Sequence, residues 1–115
     1  METQVEEIGD VIVVRIEGRL DAASSPQLEK RLQAIIDGGH FKLVLNLAHV
    51  DYLSSAGMRL ILWASKQLKQ VAGEVVACNL NDEVEEIIKM AGFHHVIKFY
   101  PSEVEACNHL SLISP

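Results

Sequence analysis

Short apolar runs alternate with helix-spaced stretches along most of this 115-residue chain, and that alternation constrains its fold more than any other feature. Lys42-Leu43-Val44-Leu45-Asn46-Leu47 suits a buried strand, and Leu60, Ala64, Leu68 and Val71 recur behind it at helical spacing. Glu74–Cys78 reads as the next strand. A helix follows with Val84, Ile87, Ile88 and Ala91 as its apolar positions, and Val96–Phe99 reads as a last strand. The connections are short, so successive strands must run largely parallel, joined by right-handed crossovers. Ahead of this series, Val5–Ile8 and Val11–Ile16 flank Gly9-Asp10 as a hairpin. The expected fold class is α/β, a small mixed and mostly parallel sheet with about four helices, opening with an antiparallel hairpin.

Ser24-Ser25-Pro26-Gln27 predicts the first helix start, with Ser24 and Gln27 as a capping box and Leu28, Leu32, Ile35 and Ile36 facing inward until Gly38-Gly39. The second helix is expected from near Ser55 to about Ala72, where Gly73 stops it. Asp82 and Glu85 form a candidate capping box for the third, which ends at Gly92. Ser102 and Glu105 repeat the box for the fourth, whose apolar positions are Val104, Cys107 and Leu110, and Ser111–Pro115 is expected to fray. One domain spanning 1–115, with a core of about residues 4–110, accounts for all of it.

Sixteen acidic against ten basic side chains give a formal charge of −6, and no basic cluster is interleaved with aromatics, which excludes a phosphate track for nucleic acid. No apolar window approaches the length of a membrane span, and Met1–Glu7 lacks the basic and apolar blocks of a signal peptide. A cytoplasmic protein without membrane association is expected. Cys78 and Cys107 are far apart in sequence and suit reduced, packed thiols better than a disulfide scaffold.

Chemistry concentrates in Val50-Asp51-Tyr52-Leu53-Ser54-Ser55-Ala56-Gly57-Met58-Arg59, the step from strand into second helix. The first amides of a helix lack partners within it, and the aligned peptide dipoles place about half a positive charge there. Ser54 and Ser55 therefore sit where a hydroxyl caps the helix or a phosphate is stabilised. A serine hydrolase would need a Gly-x-Ser-x-Gly elbow, which Ser54-Ser55-Ala56-Gly57 lacks, and no histidine spacing pairs with Ser55. His94-His95 are adjacent, so they should point in different directions, with no second ligand at a metal-site spacing. The glycines form no nucleotide-binding pattern. No enzyme activity, cofactor or metal is expected. Met58, Leu60, Ile61, Leu62 and Trp63 make the second helix apolar around more of its circumference than one buried face requires, leaving either an exposed docking patch or coverage on two sides.

Several segments together resemble the STAS domain of anti-sigma factor antagonists, from about residue 5 to about residue 108. Gly18-Arg19-Leu20-Asp21-Ala22 is similar to the family's Gly-x-Leu-Asp turn. Leu43–Leu47 resembles its central strand, where the family often has aspartate in place of Asn46. Gly73-Glu74-Val75-Val76 and Ala91-Gly92-Phe93 match further landmarks. The resemblance implies a STAS fold, a right-handed β-α superhelix with an open sheet. It places the family's phosphoacceptor, the serine two before the glycine of Asp-Ser-Ser/Thr-Gly, at Ser55; Ser54 stands in the aspartate's place and Ala56 in that of the other hydroxyl.

The implied function is anti-sigma factor antagonism by partner switching. The unphosphorylated protein would bind an anti-sigma factor that is also an ATP-dependent serine kinase of the histidine-kinase-like ATPase fold, releasing a sigma factor or other effector. Phosphorylation at Ser55 would abolish binding, and a metal-dependent serine/threonine phosphatase would restore it. Asp21, Ser54, Ser55, Met58 and Arg59 are expected to border the partner surface, because the turn after the second strand and the start of the second helix emerge at one end of a parallel sheet. Asp21 has a second reading, as a cap for its own turn. The alternative function is a non-switching STAS adaptor or scaffold subunit of a sensory or lipid-transport complex, with Ser55 only a helix cap.

Overall fold

In the computed structural model, which describes residues 1–112, β1 (Glu2–Ile8) and β2 (Val11–Leu20) form the antiparallel hairpin. The sheet continues through β3 (Lys42–Leu53), β4 (Glu74–Cys78) and β5 (Phe99–Tyr100), each parallel to the strand before it, in the order β1-β2-β3-β4-β5. α1 (Ser25–Asp37), α2 (Ser55–Lys69) and α3 (Asp82–Met90) pack on one face and α4 (Glu103–Ser111) on the other. Ile12, Val14 and Ile16 of β2 meet the first layer, while Val11 and Val13 meet Ala106 and Leu110 of α4. Strands covered on both faces need apolar side chains at consecutive positions, which is why Val11–Val14 and Leu43–Leu45 are uninterrupted. Each such side chain contributes roughly 1.5–3 kcal/mol by leaving water.

Both central strands run further than their apolar runs suggest. Arg15 pairs with Asn46 but Glu17 with His49, and Gly18 pairs with Val50 but Arg19 with Tyr52, so β3 carries an extra residue at two bulges. Leu47, Val50 and Leu53 consequently recur every third residue while all pointing into the core. Asn46 Oδ1 accepts a hydrogen bond from Ala48 N–H at 2.9 Å beside the first bulge. Gly18 takes the left-handed value φ 107° at the second, where a β-carbon would be strained.

The helix starts differ from the expected capping boxes in two of three cases. Ser24 makes no side-chain cap for α1; its hydroxyl donates to Arg19 O at 2.7 Å and accepts from Asp21 N–H at 3.0 Å. For α3 the cap is Asn81, one residue earlier than Asp82. Its Oδ1 accepts from Val84 N–H and its Nδ2 donates to Val50 O, both at 2.8 Å, so one side chain caps the helix and ties it to β3. Ser102 does cap α4, accepting from Glu105 N–H at 3.2 Å.

α2 ends at Lys69, before the expected Ala72, and Val71 is exposed in the turn that follows. The expected strand Val96–Phe99 is displaced because Phe93–His95 winds into a 3-10 turn, leaving only Phe99–Tyr100 to pair with β4. The adjacent histidines do not diverge: that turn brings their rings together, with centroids 3.9 Å apart and planes tilted by 43°. Ala91 is exposed, although Gly92 stops α3 as expected. Ser111 closes α4, and residues 113–115 of the expected frayed end lie outside the described residues.

α4 is also turned relative to its expected face. Glu103 points at the sheet, where Arg15 Nε and Nη2 donate to its two carboxylate oxygens at 2.7 and 2.9 Å and Asn46 Nδ2 donates to one of them. Ala106 and Leu110, three and seven residues on, share that side and are buried, so Val104 faces out at 69% exposure. Burial of Cys78 beneath this helix pushes its thiol up to about 12, keeping it unreactive at neutral pH.

Arg15 holds the Glu103 carboxyl below its ordinary range. An acid whose folded pKa is depressed stabilises the fold fully above its unfolded pKa, about 4.3 for glutamate, and ceases to as pH falls through the folded value. Glu103→Gln is thus expected to be less stable than wild type at pH 7, with the deficit shrinking below about pH 4. Urea denaturation across that range tests it; a deficit independent of pH would mean that packing, not charge, holds α4.

Candidate functional site

The register of β2 and β3 brings Leu20 and Leu53 side by side, so the turns leaving both strands emerge at the same end of the sheet. Ser54 N–H donates to Leu20 O at 3.0 Å, joining the start of α2 to the end of β2. Gly57 permits that approach: a β-carbon there would lie 2.8 Å from Leu20 O and from Leu53 Cδ1 and 2.9 Å from Leu20 Cγ. Asp21, directly after Leu20, is thereby set beside the serine pair.

The two serines divide their tasks. Ser54 is the N-cap, with extended backbone and its Oγ accepting from Gly57 N–H at 3.3 Å. Ser55 is the first helical residue and is exposed, and among the described residues none hydrogen-bonds its hydroxyl. The reading of Ser55 as a helix cap is therefore corrected: the cap is Ser54. No acidic residue lies in the first turn of α2, so negative charge added at Ser55 meets the helix dipole without a repelling carboxylate from its own helix.

Asp21 is committed to its turn. Oδ1 accepts from Ala23 N–H at 3.0 Å and Ser24 N–H at 3.1 Å, while Oδ2 faces Arg19 Nε at 3.5 Å. The Ser24 amide above all, with the Ala23 amide, the Ser24 hydroxyl and Arg19, holds this carboxyl below its ordinary range. Arg19 also stacks over the Tyr52 ring, 4.2 Å from its centroid. This exposed pair flanks the serine turn, and only the register of β2 and β3, which sets Arg19 opposite Tyr52, brings the two together.

Arg59 is exposed one turn along α2 from Ser55, and Met58 is half-buried against the core. Of the wider apolar stripe, Leu60 and Ile61 are buried, Leu62 and Trp63 are half-buried, and Trp63 packs on the core. The stripe is covered within the fold more than it is offered as a patch. What remains open is a depression of about 440 Å³ between α1 and α2, lined by Ala22, Pro26, Ala56, Arg59 and Trp63 among others.

A parallel sheet opened by a hairpin, α4 alone on its second face and a capped serine step into α2 together define the STAS arrangement. The chain belongs to the STAS domain family, whose model matches residues 2–106. It is 39% identical over 93 residues to a protein of Bordetella bronchiseptica named "Putative anti-sigma factor antagonist BtrV", covering 81% of this chain and 80% of that one. An anti-sigma F factor antagonist of Paenibacillus polymyxa is 27% identical over 115 residues, covering 99% and 98%. Among solved structures, a Thermotoga maritima protein described as a "putative anti-sigma factor antagonist" superposes with a TM-score of 0.90 at 18% identity, covering 95% of this chain and 94% of that one, a likeness that establishes the fold alone.

Proposed function

We propose that this protein is an anti-sigma factor antagonist that works by partner switching, with Ser55 as the phosphoacceptor. The observation that carries the reading is the division between the serines: Ser54 satisfies the helix start, leaving Ser55 exposed with an uncommitted hydroxyl. The names borne by the relatives support the antagonist role. The domain acts as a unit with a core of about residues 4–110, in the cytoplasm, and its role is regulatory rather than catalytic. Among the described residues no helix is long and apolar enough to cross a membrane.

The unphosphorylated protein binds an anti-sigma factor that is also an ATP-dependent serine kinase of the histidine-kinase-like ATPase fold, through Asp21, Ser54, Ser55, Met58 and Arg59. Asp21 contributes by shaping its turn and through Oδ2, and Met58 through the part of its side chain not packed on the core. Phosphorylation adds roughly −1.5 to −2 charge at neutral pH. On the free protein the first-turn amides and Arg59 accommodate it. In the complex it must be desolvated against the partner, so binding is lost while the fold persists. A metal-dependent serine/threonine phosphatase resets the switch.

Affinity capture from the native cytosol on wild type, Ser55→Ala and Ser55→Asp tests this, with phosphate mapped on wild type. A serine kinase is expected on the first two and not on the third, with phosphate on Ser55. Ser55→Asp should melt at or slightly above the wild-type temperature, since a carboxylate at a helix start contributes about 0.3–1 kcal/mol. Identical partners on all three proteins, with no phosphate, would assign the non-switching adaptor role instead.

A further inference from the structure

After β2, β3 and β4 the chain turns to the face covered by α1, α2 and α3, whereas after β5 it turns to the other face, under α4. Neighbouring parallel strands whose outgoing loops part to opposite faces leave a crevice at their carboxyl ends, the usual ligand position in an open α/β sheet. Here that crevice is a cavity of about 510 Å³ between Asn79-Leu80, which follow β4, and Tyr100-Pro101 at the end of β5. Ile88 and Lys89 of α3 form one wall. Its volume falls in the range of roughly 300–1,000 Å³ that small-molecule sites occupy.

Asn79 sets this crevice apart from an ordinary surface fold. It holds a left-handed backbone, φ 60°, outside glycine, and its N–H donates to Tyr100 O at 3.2 Å, bracing the two loops. Its side-chain Oδ1 is buried with no hydrogen-bond partner among the described residues, a state buried acceptors rarely keep. The terminal torsion of asparagine is soft, so a donor entering the crevice can turn that oxygen towards itself. Leu80, Ile88, Phe99 and Pro101 supply apolar walls around it, while the Glu85–Lys89 ion pair and His94 make up its polar side.

We propose that the β4–β5 crevice binds a small, largely apolar molecule carrying one N–H or O–H donor, which pairs with Asn79 Oδ1. The proposal does not depend on the role of Ser55. Its test is a titration of nitrogen-15-labelled protein with indole and with N-methylindole, in which a methyl group replaces the donor hydrogen, so that the Asn79→Gly comparison separates the lost donor from the added bulk. Indole is expected to shift the amides of Leu80, Ile88, Lys89 and Tyr100 saturably, and N-methylindole to bind roughly threefold to tenfold more weakly, the worth of one hydrogen bond. Asn79→Gly keeps the left-handed backbone without strain and should bind both probes equally and weakly, with an unchanged or higher melting temperature. Absence of saturable shifts at those amides, or equal affinity of the two probes for the unsubstituted protein, would overturn the proposal even if the variant failed to fold.

Discussion

Gly57→Ala is expected to destabilise the fold by about 1–3 kcal/mol and, in the same step, to weaken retention of the proposed kinase partner. Helix propensity alone predicts the opposite sign, since alanine inside a helix is favoured over glycine by about 1 kcal/mol. The packing term must exceed that. A β-carbon would come within 2.8 Å of Leu20 O, a backbone atom already accepting from Ser54 N–H, and within 2.8–2.9 Å of two atoms of the Leu53 and Leu20 side chains. Leu20 and Leu53 are both core residues, 0% and 2% exposed, so neither can swing clear. The relaxation open to the molecule is to lift the start of α2 away from β2, which carries Ser54 and Ser55 with it. Urea denaturation and partner capture on the same variant read both effects. A variant as stable as wild type that still captured the kinase would mean that α2 has slack, and that Ser55 is not positioned by this contact.

The alternation of strand and helix was legible because most of the core follows simple periods: consecutive apolar residues in doubly covered strands, and Leu28, Leu32 and Ile36 on α1. The serine step was legible for the same reason, since a helix must start somewhere and serine is a good start. What escaped was the carboxyl half of β2 and β3. Two bulges convert the period of two into Leu47, Val50 and Leu53 at a period of three, which no strand template matches. The same bulges bring Arg19 opposite Tyr52, so the pair beside the serine turn could not be seen before the register was known. Caps were misplaced where side chains had competing options: Ser24 serves the Asp21 turn, and Asn81 preempts Asp82 by bonding both α3 and β3. The face of α4 depended on Glu103 finding Arg15, 88 residues away, a pairing that local pattern does not encode.

That pairing also gives a physical reason for asparagine rather than aspartate at position 46. Arg15 already serves two carboxylates, bonding Glu103 bidentately and Glu6 through Nη1 at 2.9 Å. Asn46 adds a neutral donor to Glu103 and, through Oδ1, satisfies Ala48 N–H. Asn46→Asp keeps the acceptor for Ala48 but deletes the donor to Glu103 and sets a third carboxylate around one guanidinium. The expected cost at pH 7 is about 1–3 kcal/mol, the worth of a charged hydrogen bond lost in a half-buried site plus like-charge repulsion. Two carboxylates sharing a site raise the pKa of one of them. A raised folded pKa means that the folded state takes up the proton first, so the variant regains stability relative to wild type as pH falls from 7 towards about 4. Its stability difference from wild type should thus narrow in mild acid, before the loss of the Arg15–Glu103 pair destabilises both proteins. Ser55 lies elsewhere, at the start of α2, so the same variant should retain the kinase partner at pH 7 as wild type does. A deficit that widened in mild acid would contradict the charge argument, and lost capture at unchanged stability would place this cluster within the docking surface.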